Sequence, residues 1–350
     1  MRIMHFLNHT LPSNGHVHVA VDLACVQSRM GHSVSIVSGG GNFDSLLEAY
    51  GVKHVVIDQR RTLSNLIKAT YKLHFAISSI SPEIIHAHMM TSTGLAFILR
   101  HFRKFKLVTT VHNDFEKGAF IMGLGDRVIA VSEAVAQSME RRGVQRAKIR
   151  VVLNGTIGSP RLCPGTPAAK ILDRPAITFV GGLHPRKGVD DLIKAFKTVC
   201  TQLPATSLYL VGNGPYREAY KDLASATGFG DRIHFCGSQA DPRPHLLGSD
   251  VFVLASHAEP GALVLPEARE AGCAIVATSV GGIPEMLDGG NAGVLVPPGR
   301  SDLLADAIVK VLRDKKLLTE MRARARSNLD HFNVERVSKE CVAIYNSVLN

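Results

Sequence analysis

Residues 154–175 read NGTIGSPRLCPGTPAAKILDRP, a stretch with four prolines and three glycines in which no hydrophobic period survives. Proline lacks the backbone donor that helices and ladders need, and glycine holds no preferred conformation, so such a run reads as a linker. On both sides of it the pattern is regular. Short apolar, β-branched runs stand at 3–7, 33–37, 54–57, 84–87, 107–111, 128–131 and 149–153. Helical stretches such as 17–30, 63–80 and 133–142 separate many of them; Val17, Val21, Ala24 and Met30 recur on one helical face. After the linker the strand candidates resume at 176–180, 207–211, 233–236, 251–254, 275–277 and 294–296, and residues 301–350 read as three helices with no strand. Alternating β and α runs predict parallel sheets. One linker between two such series predicts two Rossmann-like lobes, 1–160 and 161–334, with a last helix at about 335–350 packing back onto the first. A ligand cleft is expected between the carboxyl ends of their sheets.

Composition narrows the function classes. The 350 residues suffice for two domains, and 45% hydrophobic with 20% charged residues is ordinary for a globular protein. No apolar run reaches the length of a membrane span, and the start, MRIMHFL, reads as a buried strand rather than a signal peptide. Cys25, Cys163, Cys200, Cys236, Cys273 and Cys341 are scattered without metal-type spacing, which argues against a zinc site or a disulfide framework and fits a reducing cytoplasm. The net charge of +10 lies wholly in the first half: residues 1–170 carry 20 Lys and Arg against 10 Asp and Glu, residues 171–350 carry 20 against 20. Arg60-Arg61, the run Arg100-His101-Phe102-Arg103-Lys104-Phe105-Lys106 and Arg141-Arg142 through Arg150 carry much of the excess. Such a field favours an anionic partner. No nucleic-acid-binding pattern accompanies it, so an anionic membrane surface, or a basic surface that only aids solubility, is the expectation.

The chemistry concentrates in EPGALVLPE, from Glu259 to Glu267, which follows the strand at 251–254 and opens a helix. One carboxylate on the loop and one in the helix's first turn can meet in one pocket, and an acidic residue there can accept hydrogen bonds from ribose hydroxyls. The alternative is a carboxylate answering the helix dipole. Lys187 stands at a strand-to-helix turn, where backbone N–H groups already favour anions; the alternative is a solvated surface lysine. Gly281 and Gly282 precede a helix start and allow close backbone approach, or simply make a tight turn. His112 ends the strand at 107–111. His86 and His88, at a strand end, are read as facing opposite ways, which disfavours a shared metal and leaves His88 as the candidate cleft residue, the alternative being a packing role. In Pro12-Ser13-Asn14-Gly15-His16, after the first strand, Gly15 is the candidate for close backbone approach.

These segments together resemble the family 4 glycosyltransferases, whose two-lobed fold is called GT-B. Glu259 to Glu267 looks like the family's E-x7-E motif. Phe179-Val180-Gly181-Gly182-Leu183-His184-Pro185-Arg186-Lys187-Gly188 resembles its diphosphate-binding turn, Gly212-Asn213-Gly214-Pro215 its GxGP turn, and Val280-Gly281-Gly282-Ile283-Pro284-Glu285 its GGxPE turn. Val131-Ser132-Glu133 and Asn154-Gly155 match the pieces before the linker. The resemblance implies a retaining transferase that uses a nucleoside-diphosphate sugar. His112, Lys187 and Glu259 would be its catalytic residues. Gly15, Gly181, Arg186, Lys187, Gly212, Gly261, Ala262, Leu263, Glu267 and Gly282 would bind the donor, and Asn14, His16 and His88 the acceptor. No Asp-x-Asp metal clamp occurs, so no metal or cofactor is expected and Lys187, Arg186 and helix N-termini must meet the diphosphate charge. The basic first lobe and its Phe-interleaved run from Arg100 to Lys106 suggest as acceptor a glycan or lipid-linked intermediate at the inner face of the plasma membrane, in cell-surface polysaccharide or lipopolysaccharide synthesis. The chain departs from the family at Gly182, where an Arg is usual, at Gly261-Ala262 in place of "FG", and after Asn154-Gly155, where an Asp is missing. Those departures read as a change in donor or acceptor; the missing Arg at Gly182 also admits an inactive nucleotide-sugar-binding scaffold, and an epimerase of the same architecture is a further alternative.

Overall fold

The computed structural model describes every residue except Ser13, Arg61 and Pro164. The parts of the Pro12–His16 loop and of the Arg60-Arg61 pair that fall on Ser13 and Arg61 therefore lie outside the described residues. The chain divides into two compact units, Met1–Cys163 with Phe332–Asn350, and Pro164–His331. The break thus falls at 163/164, and the chain returns to the first unit at Phe332.

In the first unit the strands are β1 (Arg2–Phe6), β2 (Ser33–Ser38), β3 (Lys53–Val56), β4 (Ile84–Ala87), β5 (Lys106–Val111), β6 (Arg127–Ala130) and β7 (Ile149–Val151). They form one parallel sheet in the order β3-β2-β1-β4-β5-β6-β7. Helices α1 (Gly15–Arg29), α2 (Asp44–Ala49), α3 (Leu63–Ile80), α4 (Met90–Leu99) and α5 (Glu133–Arg141) connect them. In the second unit β8 (Ala176–Val180), β9 (Ser207–Val211), β10 (Ile233–Gly237), β11 (Val251–Leu254), β12 (Ala274–Thr278) and β13 (Val294–Val296) form a parallel sheet in the order β10-β9-β8-β11-β12-β13. Its helices are α6 (Val189–Gln202), α7 (Arg217–Ala226), α8 (Arg243–Gly248), α9 (Val264–Ala271), α10 (Ile283–Met286), α11 (Ser301–Arg313) and α12 (Lys315–Ala325). The last helix, α13 (Val334–Leu349), belongs to the first unit, where Gln27 of α1 donates to the Tyr345 hydroxyl at 3.3 Å.

The strands read as near-continuous apolar runs because helices cover both faces of each sheet. β8, β9, β11 and β12 are buried along almost their whole length. The strand at 149–153 is shorter than its apolar run, ending at Val151. In each sheet the strand order reverses at one point, between β1 and β4 and between β8 and β11. Loops that leave a sheet on either side of such a point diverge and leave a crevice at the carboxyl ends of the strands. The candidate residues of each unit come from those loops. No described helix is long and apolar enough to cross a membrane.

Candidate functional site

In the second unit the loop after β8 carries Gly181 and Gly182 into a 3-10 turn, Pro185–Lys187, and then into α6. Gly188 closes that turn at φ 61°, and a Cβ there would lie 1.9 Å from the Ala255 carbonyl oxygen, so backbone meets backbone and only glycine fits. The His257 N–H donates to the Arg186 carbonyl at 2.8 Å, tying the same turn to the loop after β11. This junction sets Lys187 beside that loop, and its ammonium forms an ion pair with the Glu259 carboxylate. Both side chains are largely buried, and the Ser256 hydroxyl donates to the same carboxylate at 3.4 Å. The Arg186 guanidinium donates to the Ala258 carbonyl at 3.2 Å. Two strands that flank the switch point thus deliver a cation and an anion to one spot.

The glycine turns serve this pair. Gly281 has φ 54°, and a Cβ on it would fall 1.9 Å from the Glu259 carbonyl oxygen. The neighbouring Gly282 N–H donates to that same oxygen at 2.9 Å. The close approach that Gly281 and Gly282 permit is therefore to the backbone of Glu259. Gly212, at φ 142°, abuts the Gly181 carbonyl, and the Leu183 N–H reaches the Asn213 carbonyl at 3.0 Å, so the GxGP turn braces the loop after β8. Glu267 lies half-buried in the first turn of α9, with Ala262 buried and Gly261 and Leu263 half-buried before it. Gly182 is different: a Cβ there would meet nothing closer than 3.9 Å, so the position where the family carries Arg has room for a side chain. Sequence reading missed Arg269. It is fully buried and donates to the carbonyls of Ala325, Met286 and Ser327 and to Asp288, fixing α9 two residues beyond Glu267. An arginine mid-helix gives no sign of this until its partners are placed.

In the first unit β1 and β4 carry His5, His86 and His88. The reading of His86 and His88 as facing opposite ways is overturned. Side chains alternate along a strand, so i and i+2 share a face, and their ring centroids lie 4.2 Å apart. His88 is also fully buried, and its Nδ1 and Nε2 lie 3.0 Å from His112 Nε2 and His5 Nδ1. Both of its ring nitrogens are thus taken up by neighbouring histidines. His112 itself, half-buried just past β5, keeps Nδ1 without a hydrogen-bond partner among the described residues. His16, in the first turn of α1, brings its ring to 6.1 Å from that of His112. Burial, and then the nearby His9, push the His16 pKa down to about 4. The same burial holds His112 at about 3, so both rings are neutral at ordinary pH. Asn14 precedes α1 without capping it through its side chain, and Gly15 is exposed. Among the described residues, Asn8 Oδ1, Thr10 Oγ1 and His16 Nε2 are buried polar atoms without a partner. All three lie between the end of β1 and the first turn of α1. Each orphan costs about 1–3 kcal/mol, which a polar ligand would relieve.

Two groups of described residues could surround an ion: His5, His86 and His88, and the partly exposed Asp190, Asp191 and His257. In the first, all six ring nitrogens already have hydrogen-bond partners. In the second, His257 Nε2 is paired with Asp191 at 2.7 Å.

The outer face of α3 is unusual. Leu63, Ile67, Tyr71 and Phe75, four residues apart, are all more than half exposed, as are Ile98 and Phe102. Arg60, Lys68, Lys72, Lys104 and Lys106 are exposed around them. The run from Arg100 to Lys106 is therefore only partly a surface, because Phe105 turns into the core beside Leu107.

Residues 167–328 match the model of glycosyl transferases group 1, and residues 13–156 match that of glycosyltransferase family 4. The chain is 35% identical over 174 residues to N-acetyl-alpha-D-glucosaminyl L-malate synthase of Bacillus anthracis, covering 49% of this chain and 45% of that protein. It is 31% identical to the lipopolysaccharide core biosynthesis glycosyltransferase LpsE of Rhizobium meliloti, covering 62% of each. The matches thus span about half to three fifths of these curated relatives. In three dimensions it resembles HepE of Anabaena, solved with UDP-glucose, at a TM-score of 0.84 and 20% identity over 99% of both chains. That likeness is one of fold, and the fold is GT-B.

Proposed function

From a chain whose two units each carry a glycosyltransferase-family domain, we propose a retaining, metal-independent glycosyltransferase. It moves a hexose-type sugar from a nucleoside diphosphate to a glycan or lipid-linked acceptor, in cell-surface polysaccharide or lipopolysaccharide synthesis. The observation that carries the reading is the largely buried Lys187–Glu259 pair at the switch point of the second sheet. A lysine already held by a carboxylate is poised to exchange that partner for a diphosphate. Its charge then steadies the departing phosphate, while Glu259 is freed to accept hydrogen bonds from sugar hydroxyls. Glu267 takes the ribose hydroxyls, Arg186 adds a second cation, and the departing phosphate accepts the acceptor's proton. A neutral His112 positions the sugar.

For the acceptor, the support is the apolar and basic outer face of α3. Exposed aromatic and aliphatic side chains insert at a lipid interface, and each lysine or arginine near anionic headgroups adds about 1 kcal/mol. The protein then works as a peripheral protein at the inner membrane face. Flotation with vesicles should show a preference for anionic lipid that weakens with salt and is lost in a Tyr71→Ser, Phe75→Ser variant; equal binding to neutral vesicles would remove this part. The transfer reading itself is tested by a thermal-shift screen of UDP, GDP and ADP and their sugars. A donor at a hundred times its Kd should add about 2.7 kcal/mol. With that donor and its acceptor, NMR should find the anomeric configuration kept and turnover unchanged in EDTA. A screen in which no nucleotide raises the midpoint would sink the reading.

A further inference from the structure

Behind His112 runs a single file of hydrogen bonds. His112 Nε2 lies 3.0 Å from His88 Nδ1, His88 Nε2 lies 3.0 Å from His5 Nδ1, and His5 Nε2 lies 2.9 Å from Gln27 Oε1. The Gln27 amide then donates to the Tyr345 hydroxyl at 3.3 Å. That hydroxyl lies 2.6 Å from His86 Nδ1, and His86 Nε2 lies 2.6 Å from Thr110 Oγ1. Five elements contribute, β1, β4, β5, α1 and α13. His5, Gln27, His86, His88, Thr110 and Tyr345 are all buried.

A neutral imidazole has one donor nitrogen and one acceptor nitrogen, so each ring in such a file hands its orientation to the next. Burial keeps the rings neutral: it lowers His5 to about 4 and drives His86 and His88 well below their ordinary value. Gln27 faces His5 with a carbonyl oxygen, which only accepts. His5 must therefore carry its proton on Nε2 and leave Nδ1 bare. His88 must then donate from Nε2, and its bare Nδ1 must receive the proton of His112 Nε2. On the far side the Gln27 N–H donates to Tyr345, whose hydroxyl can donate onward to His86. Reversing any one link between His112 and Gln27 would set two donors or two acceptors face to face inside the core, so that part of the file switches as a whole or not at all.

We propose that Gln27, acting through His5 and His88 and held from behind by Tyr345, clamps His112 in its Nε2–H tautomer. Nδ1 of His112 can then only accept a hydrogen bond, and the ligand group it recognises must be a donor such as a sugar hydroxyl. Gln27, His5, His88 and Tyr345 are positioning residues. The identity of that donor rests on the transferase reading; the tautomer does not.

The test uses the full chain labelled with 15N-histidine, without ligand, near pH 7, with the ring nitrogens correlated to ring protons by NMR. The parent should show His112 as a single Nε2–H species, its bias over the other tautomer at least roughly tenfold, the worth of one net hydrogen bond. Gln27→Met removes the anchor three links away and should bring the two tautomers of His112 to comparable populations. Tyr345→Phe keeps the ring and its packing, frees the amide to rotate, and should lower the bias in the same direction. A parent His112 protonated at Nδ1 would overturn the proposal, as would an unchanged single tautomer in both variants. A purely structural role for Gln27 would change the melting temperature and leave the tautomer alone. Because no nucleotide sugar is present, failure of the transferase reading leaves this result standing, and the converse also holds.

Discussion

In the proposed transfer the chemistry turns on Lys187 and Glu259, and their burial makes them interdependent. Removing one partner of a buried pair strands the other charge at a cost of about 3–5 kcal/mol, whereas replacing both by neutral groups of like size costs far less. Lys187→Met and Glu259→Gln should therefore each lower the melting temperature, and the double variant should recover most of the loss while remaining inactive; calorimetry with a turnover assay checks both. Glu267→Ala should leave stability nearly unchanged and weaken the nucleotide sugar by roughly ten- to a hundredfold, the worth of a hydrogen bond to a charged group, read by calorimetric titration. Gly182 is the opposite kind of site, with open space where the family carries a cation. Gly182→Arg should fold normally and bind a nucleoside diphosphate about tenfold more tightly, by adding a charged hydrogen-bond donor.

The elements matter through their ends. β8 and β11 stop beside one another, and three glycine contacts, at Gly188, Gly212 and Gly281, lock the loops that leave β8, β9, β11 and β12 against each other. Gly281→Ala would force a Cβ into the Glu259 carbonyl at a positive φ. The loop must give way, so a loss of activity larger than the loss of stability is expected, measured by comparing kcat/KM with the melting temperature. α9 is held from behind by Arg269, whose guanidinium reaches residues from α12 to the turn after α10. Arg269→Leu should cost several kcal/mol and release α9, by leaving three carbonyls and a carboxylate without their donor. The patterns of apolar residues located these elements to within a residue or two because each strand is covered on both faces. They gave no hint of Arg269, whose partner Ser327 lies 58 residues further along the chain.

At the scale of the molecule, buried neutral histidines tie the stability of the first unit to pH. His5, His16 and His18 are pushed by burial to about 4, and His112 to about 3. Between those values and the ordinary 6.5 the unfolded chain binds protons that the folded chain refuses, so stability is full above about pH 6.5 and is lost as pH falls toward 4. For fully buried His5 alone the swing is about 3 kcal/mol. Melting temperatures should fall steeply across that window, and a His5→Gln variant should show a shallower slope; a flat profile between pH 6.5 and 4.5 would contradict the burial of these rings. The sequence by itself determined two parallel α/β series and the break between them, because strand and helix periods and proline-rich linkers are local properties of the chain. It also marked Lys187, Glu259 and the glycine turns, which are short motifs bound to those elements. Only the tertiary structure decided that Lys187 and Glu259 pair, and that Gly281 backs Glu259. It also decided that His88 faces inward, within a file joining His112 to Tyr345. Those facts depend on which strands lie side by side and where a helix returns from the far end of the chain, and no local pattern encodes a contact across 259 residues such as that of His86 with Tyr345.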